Sequence, residues 1–348
     1  MATLHIFNPE HDIALASNLS NFTSPHAGRQ LRRDLGYLPA IWAGKDDYVL
    51  VDQVEEAQTS YARLMHKSYA GFVDKRSLAR LDVTEVEPWG WDLALRAALL
   101  RYGVGGDVLP SEAAIAVIRD LSHRKHAVSL LQHLQMAGAT GLSSLQDSLS
   151  GVRQFLAVHR HIVLKAPWSS SGRGVRFVEG ELNVYHERWV SNVIDRQGCI
   201  VAEPYYNKVK DFGMEFESDG QGRVRYLGLS LFHTTNGAYT GNVLADEEEK
   251  KSVIYHYLSE RFVEKVKEKI ECILGEVFRG KYRGPLGVDM MIVAGEGGQG
   301  FLLHPCVEIN LRRTMGHVAL ELSKYCSSRR AMMVEYLDNV YKLKVRQI

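Results

Sequence analysis

The sequence predicts an α/β domain followed by a larger α+β domain. Three observations carry this. A short apolar run near the start leads straight into a helix-like segment, and beyond residue 160 the chain turns into short β-rich runs separated by turn residues. A long amphipathic segment late in the chain then precedes two apolar strands. With 348 residues, 45% of them hydrophobic and 24% charged, there is enough apolar material for two or three packed layers.

"LHIF" (4–7) reads as the first strand, with Asn8, Pro9 and Glu10 as a helix N-cap, first helical residue and acidic first turn. "YVLVD" (48–52) is a second strand. An amphipathic helix runs from Trp91 to Tyr102 and stops at Gly103, with Pro110 beyond. These elements place residues 1–115 in one α/β layer domain. Two helices joined at "LSHR" fill the segment from Ser111 to Gly141, because apolar residues recur there twice at helical spacing. "HIVLKA", "GVRFV", "CIVAEPYY", "GMEFES" and "RVRYLGLSLF" follow as strands, interrupted by a helix over 183–196. The "SDGQG" turn makes the last two an antiparallel hairpin.

The stretch from Asp246 to Phe278 reads as one helix, with Ile254, Leu258, Phe262, Val266, Ile270, Ile273 and Val277 on a single stripe. Its acidic start matches the helix dipole, and its charges form a solvated face. "PLGVDMMIV" and "GFLLHPCVEIN" are strands across the turn "AGEGGQG", and a helical stretch from His317 closes the chain.

Lys and Arg number 42 against 41 Asp and Glu, so no global field favours a polyanion, and nucleic acid is not an expected partner. No run of 18 apolar residues occurs and "MATLHIFNPEHD" lacks a signal-peptide pattern, so neither membrane nor export is expected and the cytoplasm is the expected location. Cys199, Cys272, Cys306 and Cys326 are too dispersed for a disulfide framework or a thiolate zinc site. Small-molecule partners are expected; whether copies associate is left open.

Two stretches carry candidate chemistry. In "GVDMMIV" and "CVEIN", Asp289 and Glu308 interrupt apolar strands, where a buried carboxylate is costly unless compensated. Strands paired across the turn put them on adjacent backbones, and the period of two returns Asn310 to the face of Glu308. Two carboxylates and an amide oxygen suit Mg²⁺, a hard ion commonly shared with phosphates; the alternative is carboxylates bonded to Arg or backbone groups. In "VLKAPWSSSGRGVRF", Lys165 offers a point charge, and Ser169, Ser170, Ser171, Gly172 and Gly174 form a loop whose N–H groups can approach phosphate oxygens. Alone this would equally suit a plain hairpin. Between them, Glu203 ends an apolar strand and Pro204, followed by Tyr205, forces the chain out of regular pairing, leaving main-chain groups for an adenine edge. Arg312 and Arg313 place guanidinium groups beyond Asn310, one to clamp a phosphate or oxyanion and the other structural.

The order of these motifs over residues 120 to 320 resembles the ATP-grasp enzymes. The resemblance implies an ATP-grasp fold, two α+β subdomains clasping ATP over 116–348, with a phosphate lid within about 125–205 and a metal-binding core over 206–348. Residues 1–115 would be the α/β domain that precedes the grasp. It assigns Lys165 and Ser169–Gly174 to the triphosphate, Glu203 to the hinge and ribose region, Asp289, Glu308 and Asn310 to Mg²⁺, with Mn²⁺ as the alternative ion, and Arg312 to the transferred phosphate. Arg124, in "SHRKHAVSLL", takes the phosphate role of a lysine common in relatives. "NPEHDIALAS" is similar to a substrate-contacting segment of D-alanine:D-alanine ligases, which makes Glu10 a candidate substrate contact; Arg313 is a second, separate candidate. The activity implied is transfer of the γ-phosphoryl to a small carboxylate, amino-acid or peptide-like, followed by attack of an amine on the acyl phosphate. The rivals are phosphotransfer to a hydroxyl and a non-catalytic ATP-binding module.

Overall fold

The structure, a computed structural model, describes residues 2–65, 70–169, 174–235, 238–295, 297, 300–326 and 328–348. The chain packs into two compact units, residues 1–119 with 240–246 and 312–348, and residues 120–239 with 247–311.

The first unit opens with β1 (Ala2–Ile6), α1 (His11–Ser17), α2 (His26–Leu35), β2 (Tyr48–Leu50), α3 (Val54–Leu64), β3 (Gly71–Val73), β4 (Val83–Pro88) and α4 (Leu93–Arg101); α5 (Glu112–Leu121) ends it. The four strands make a parallel sheet in the order β3-β2-β1-β4. Leu4, Ile6, Val49, Val73 and Val86 are buried in it, which agrees with the apolar runs of a sheet covered on both faces. Asp92 caps α4 by accepting from Leu95 N at 2.9 Å, so the helix starts two residues later than its apolar pattern suggests.

Asn8 is not a helix cap. Its amide donates to Gly90 O at 2.8 Å and accepts from Gly90 N at 3.3 Å, tying the end of β1 to the segment after β4, and α1 begins at His11 with no side-chain cap. A methyl group on Gly90 would lie 2.6 Å from the buried His11 ring. Gly90→Ala is therefore expected to lower stability by about 1–3 kcal/mol, the usual cost of overpacking a tight core, and His11→Ala in the same chain should recover part of it; urea unfolding of both proteins measures this.

The second unit contains α6 (Lys125–His133), β5 (Ser144–Gln146), α7 (Leu149–His159), β6 (His161–Lys165), β7 (Val175–Glu179), α8 (Val184–Gln197), β8 (Ile200–Pro204), β9 (Lys208–Asp219), β10 (Val224–Ser230) and β11 (Phe232–Thr235). After β12 (Ala238–Leu244), most of which belongs to the first unit, come α9 (Glu247–Tyr255), α10 (Glu260–Phe278), β13 (Arg283–Ala294) and β14 (Phe301–Asn310). It has two antiparallel sheets, β5-β8-β6-β7 and β10-β9-β13-β14. Helices α7 and α8 pack on the first, burying Val152, Leu156 and Val190 with Ile162, Leu164 and Ile200. Ser148 and Asn183 cap them, accepting from Gly151 N and His186 N. On β9, Phe212, Met214 and Phe216 are buried in alternation with Asp211, Gly213 and Glu215, so one face is apolar and the other polar.

Two sequence expectations are corrected. The single helix over Asp246–Phe278 is broken: α9 stops at Tyr255 and α10 restarts after Ser259. The buried stripe of α10 is Val263, Val266, Ile270, Leu274 and Phe278, so Val266 and Ile270 stay on the expected stripe while Phe262, Ile273 and Val277 give way to their neighbours; Ile254 and Leu258, before α10, are buried as expected. The chain also does not end in a helix. After α11 (Met315–Ser323), β15 (Arg330–Leu337) and β16 (Val340–Gln347) form a hairpin, and β12 pairs with β15. Asp338 and Asn339 take positive φ of 54° and 61°, the two-residue turn that suits the twist of a hairpin. Residues 312–348, expected in the second domain, therefore pack in the first unit, where Val318, Ala319, Leu322, Met332 and Leu343 share a core with Phe7, Leu35 and Val49.

Among the described residues no helix is long and apolar enough to cross a membrane.

Candidate functional site

In the second unit a cavity of about 690 Å³ lies between its two sheets. Strands β6, β7 and β8 give one wall, with Val163, Lys165, Phe177 and Glu203; β13 and β14 give the other, with Asp289, Met291 and Glu308. Lys165 and Glu203 are both buried and form an ion pair at 2.5 Å. Antiparallel pairing of Val163 with Glu203 makes Lys165 and Glu203 diagonal neighbours on one face of the sheet. Ser143 Oγ donates to the second oxygen of Glu203 at 3.1 Å, and Lys165 Nζ donates to Val307 O at 3.4 Å. The buried carboxylate thus has a cation and a hydroxyl in place of water.

Pro204 does not leave regular pairing: it sits in register with Ile162, and Tyr205 N donates to His161 O at 2.9 Å. Proline is tolerated there because it ends its strand. The Tyr205 ring stacks on His161 with centroids 3.9 Å apart and planes 5° from parallel, and Glu203, Pro204 and Tyr205 all line the cavity. An aromatic face beside apolar walls suits a flat heterocycle.

Arg124, at the start of α6, is 6% exposed. Its Nε donates to Ala166 O at 2.9 Å, and its Nη2 reaches Ser169 Oγ at 3.2 Å and Glu308 at 2.8 Å. One guanidinium therefore connects the helix, the first residue of the serine loop and a carboxylate of the facing sheet. At the far end of the loop, a methyl group on Gly174 would overlap the Ser169 side chain, so the two ends pass too closely for any residue but glycine. Ser170, Ser171 and Gly172, also expected at phosphate, lie outside the described residues.

The expected metal ligands come together as the period of two requires. Asp289 is in register with Glu308, Gly287 with Asn310, and Asn310 Nδ2 donates to Asp289 at 3.0 Å. The register shifts just beyond, between Asp289 and Met291, where Pro305 cannot donate to the ladder. Asp289 and Glu308 are not deeply buried but border the cavity; among the described residues the buried carboxylates are Glu10, Asp92, Glu203 and Glu215. Among the described residues no three His, Cys, Asp or Glu side chains converge into a metal cage. Mg²⁺ keeps several waters and binds through one or two carboxylates together with phosphate. Asp289, Glu308 and the amide oxygen of Asn310 fit that role.

Sequence reasoning missed Glu215. Gly213 pairs with Asp289, and a methyl group there would touch both Asp289 Oδ1 and Glu215 Oε1 at 3.4 Å, so Glu215 stands beside Asp289 on the polar face of β9. The alternation in "DFGMEF" is the signal that could have found it. Lys208, Asp211 and Thr234 were missed too; they bond to one another at 2.5–2.9 Å at the cavity border.

The remaining candidates lie in the first unit. Arg312 is held by Asp12 through Nε at 2.9 Å and Nη2 at 2.8 Å. Arg313 packs on the Trp42 ring at 4.6 Å and pairs with Glu87 at 3.3 Å, a structural placement. Glu10 is 6% exposed; one oxygen meets Arg32 at 2.5 Å and Ser24 at 3.2 Å, and burial raises its pKa.

His304, on β14, is fully buried, and neither ring nitrogen has a hydrogen-bond partner among the described residues. Burial first, with the Lys165 charge acting the same way and Glu203 opposing, pushes its pKa from 6.5 down to about 4. The unfolded chain then binds the extra proton between these values, so the stability due to neutral His304 is complete above about pH 6.5 and is lost on acidification toward pH 4. Relative to His304→Leu, the native chain is expected to lose about 2 kcal/mol between pH 7 and pH 5; paired urea titrations at the two pH values measure the difference.

No family model matches the chain, and no curated protein matches it. Solved structures do, and with two sheets facing across a lysine- and carboxylate-lined cavity they place the chain in the ATP-grasp fold. N5-carboxyaminoimidazole synthetase from Staphylococcus aureus, complexed with ADP, aligns over 96% of this chain and 82% of its own, with 12% identity and a TM-score of 0.52. The biotin carboxylase domain of Hydrogenobacter thermophilus 2-oxoglutarate carboxylase, in complex with MgADP, ADP and bicarbonate, aligns over 96% and 74%, with 12% identity and a TM-score of 0.54. Biotin carboxylase from Campylobacter jejuni aligns over 96% and 75%, with 12% identity and a TM-score of 0.51.

Proposed function

We propose that the protein is an ATP-dependent ligase that activates a small carboxylate as an acyl phosphate for attack by an amine, releasing ADP and phosphate. The observation that carries this reading is the meeting, around one cavity, of Lys165, Glu203 and Arg124 with Asp289 and Glu308, beside which Asn310 is bonded to Asp289. Cations on one wall suit a triphosphate, and oxygen donors on the other suit the Mg²⁺ that accompanies it. Bound Mg²⁺ would neutralise charge on the phosphates, which is what the transfer needs. The chain's own groups do the rest. His161 and Tyr205 seat the base, and Glu203 pairs with Lys165 and directs it at phosphate. Arg124 draws the serine loop toward the same oxygens. Arg312 is the residue assigned to the transferred phosphoryl, a role that Arg312→Ala tests through turnover at unchanged ADP affinity. The neighbours solved with ADP or MgADP support nucleotide binding at this fold.

The test is a hydroxylamine trap. Purified protein with Mg-ATP and pools of amino acids, short peptides and dicarboxylates should form hydroxamate and ADP together, and only when ATP is present. ADP release with a phosphorylated alcohol and no hydroxamate would replace the reading by phosphotransfer. Nucleotide binding with no ADP from any pool would favour a binding module.

A further inference from the structure

The first unit holds a cavity of its own, about 710 Å³, along the carboxyl edge of its parallel sheet. It is lined by the residues that follow β1, β2 and β3 and by α4, the helix after β4. The strand order β3-β2-β1-β4 changes direction at β1, and ligands of open parallel sheets bind in the crevice at such a point. The volume is that of a small-molecule site.

Charge says which kind of molecule. Of the four acidic residues of the lining, three are engaged within the protein: Glu10 by Arg32 and Ser24, Asp74 by Arg76 N, Ser77 N and Ser77 Oγ, and Asp92 by Leu95 N and Asn8. Only Asp52 is left. Against it stand four exposed cations, Arg29, Lys75, Arg76 and Arg101, none of them ion-paired to a carboxylate among the described residues; Arg76 acts on its neighbour Asp74, which leaves Arg29, Lys75 and Arg101. Arg29 is steadied by donating to Ser24 O. Phe7, Phe22 and Leu95 supply apolar wall beside these cations.

We infer that this cavity binds a small organic anion: a carboxylate or phosphate held by Arg29, Lys75 and Arg101, on an apolar body lying against Phe7, Phe22 and Leu95. That this anion is a substrate rests on the ligase reading, whereas its binding does not. Guanidinium groups recognise both head groups through paired N–H donors, and the apolar wall excludes inorganic ions as the complete ligand.

The experiment uses the full chain and three probes of one shape: 3-phenylpropionate, phenyl phosphate and the uncharged 3-phenylpropanamide, titrated by calorimetry. At least one anionic probe should bind at least about tenfold more tightly than the amide, one charge-assisted contact's worth. The stronger of the two identifies the head group. Lys75→Gln with Arg101→Gln, both exposed and neither ion-paired among the described residues, should weaken that probe at least about tenfold, while ADP binding stays unchanged. Equal binding of all three probes, or an anion affinity unmoved by the double substitution, would overturn the inference. The hydroxylamine trap reports separately, so failure of the ligase reading and failure of this site give different results.

Discussion

A chain carrying Glu308→Gln is expected to fold and to bind ADP, yet to lose ATP-dependent turnover by roughly two to three orders of magnitude, the scale set by removing one group that meets developing charge. The fold should survive because Glu308 is a quarter exposed and glutamine keeps an oxygen for Arg124. Arg124 itself retains Ala166 O and Ser169 as acceptors. On the proposed ligase reading the loss of charge would be felt at Mg²⁺, which would keep one of two carboxylate ligands. Stability should fall by only about 1 kcal/mol, as for a partly solvated pair. Steady-state ADP release beside a thermal melt separates the two effects. Turnover within a factor of about three of the native chain would remove Glu308 from the chemistry, since the loss of even a group that orients a metal ligand typically costs about 10–100-fold.

Lys165→Met is expected to do more damage and of a different kind. It leaves Glu203, 4% exposed, with Ser143 as its remaining polar contact. Removing one partner of a buried pair costs about 3–5 kcal/mol, because an uncompensated charge stays in the interior, while replacing both by apolar groups is often nearly neutral. Lys165→Met should therefore unfold at markedly lower urea, and adding Glu203→Leu should restore most of the lost stability. Neither protein should bind ADP with native affinity, because the cation is absent from both. Urea titration with ADP calorimetry on the single and double variants is the measurement; a single variant as stable as the native chain would mean that Glu203 takes up a proton or meets water.

How much of this was legible in the sequence follows from how local each signal is. Asp289, Glu308 and Asn310 could be placed on one face because a hairpin and a period of two determine the register. Lys165 was visible as a cation on an apolar strand, but its pairing with Glu203 depends on β8 lying beside β6, an adjacency that spans a helix and some 35 residues. Glu215 was passed over because Gly213 hides the polar face of β9 when the strand is read as a string. The terminal hairpin was lost to the preceding helix: "YLDNVY" carries a turn signal, but the strands on either side are only half-buried and alternate weakly. Asn8 looked like a cap because nothing nearby in sequence announces Gly90 as its partner.

The three-part composition of the first unit bears on how the protein is made. Its first 119 residues emerge from the ribosome early, but Phe7, Leu35 and Val49 share their core with Leu244, Val318, Met332 and Leu343. Those apolar surfaces have no permanent neighbour until residues 312–348 have been synthesised. The second unit, interrupted only by residues 240–246, can close sooner. Birth order and folding order are thus reversed for the parallel sheet, and the interval between them is when the nascent chain most needs a chaperone.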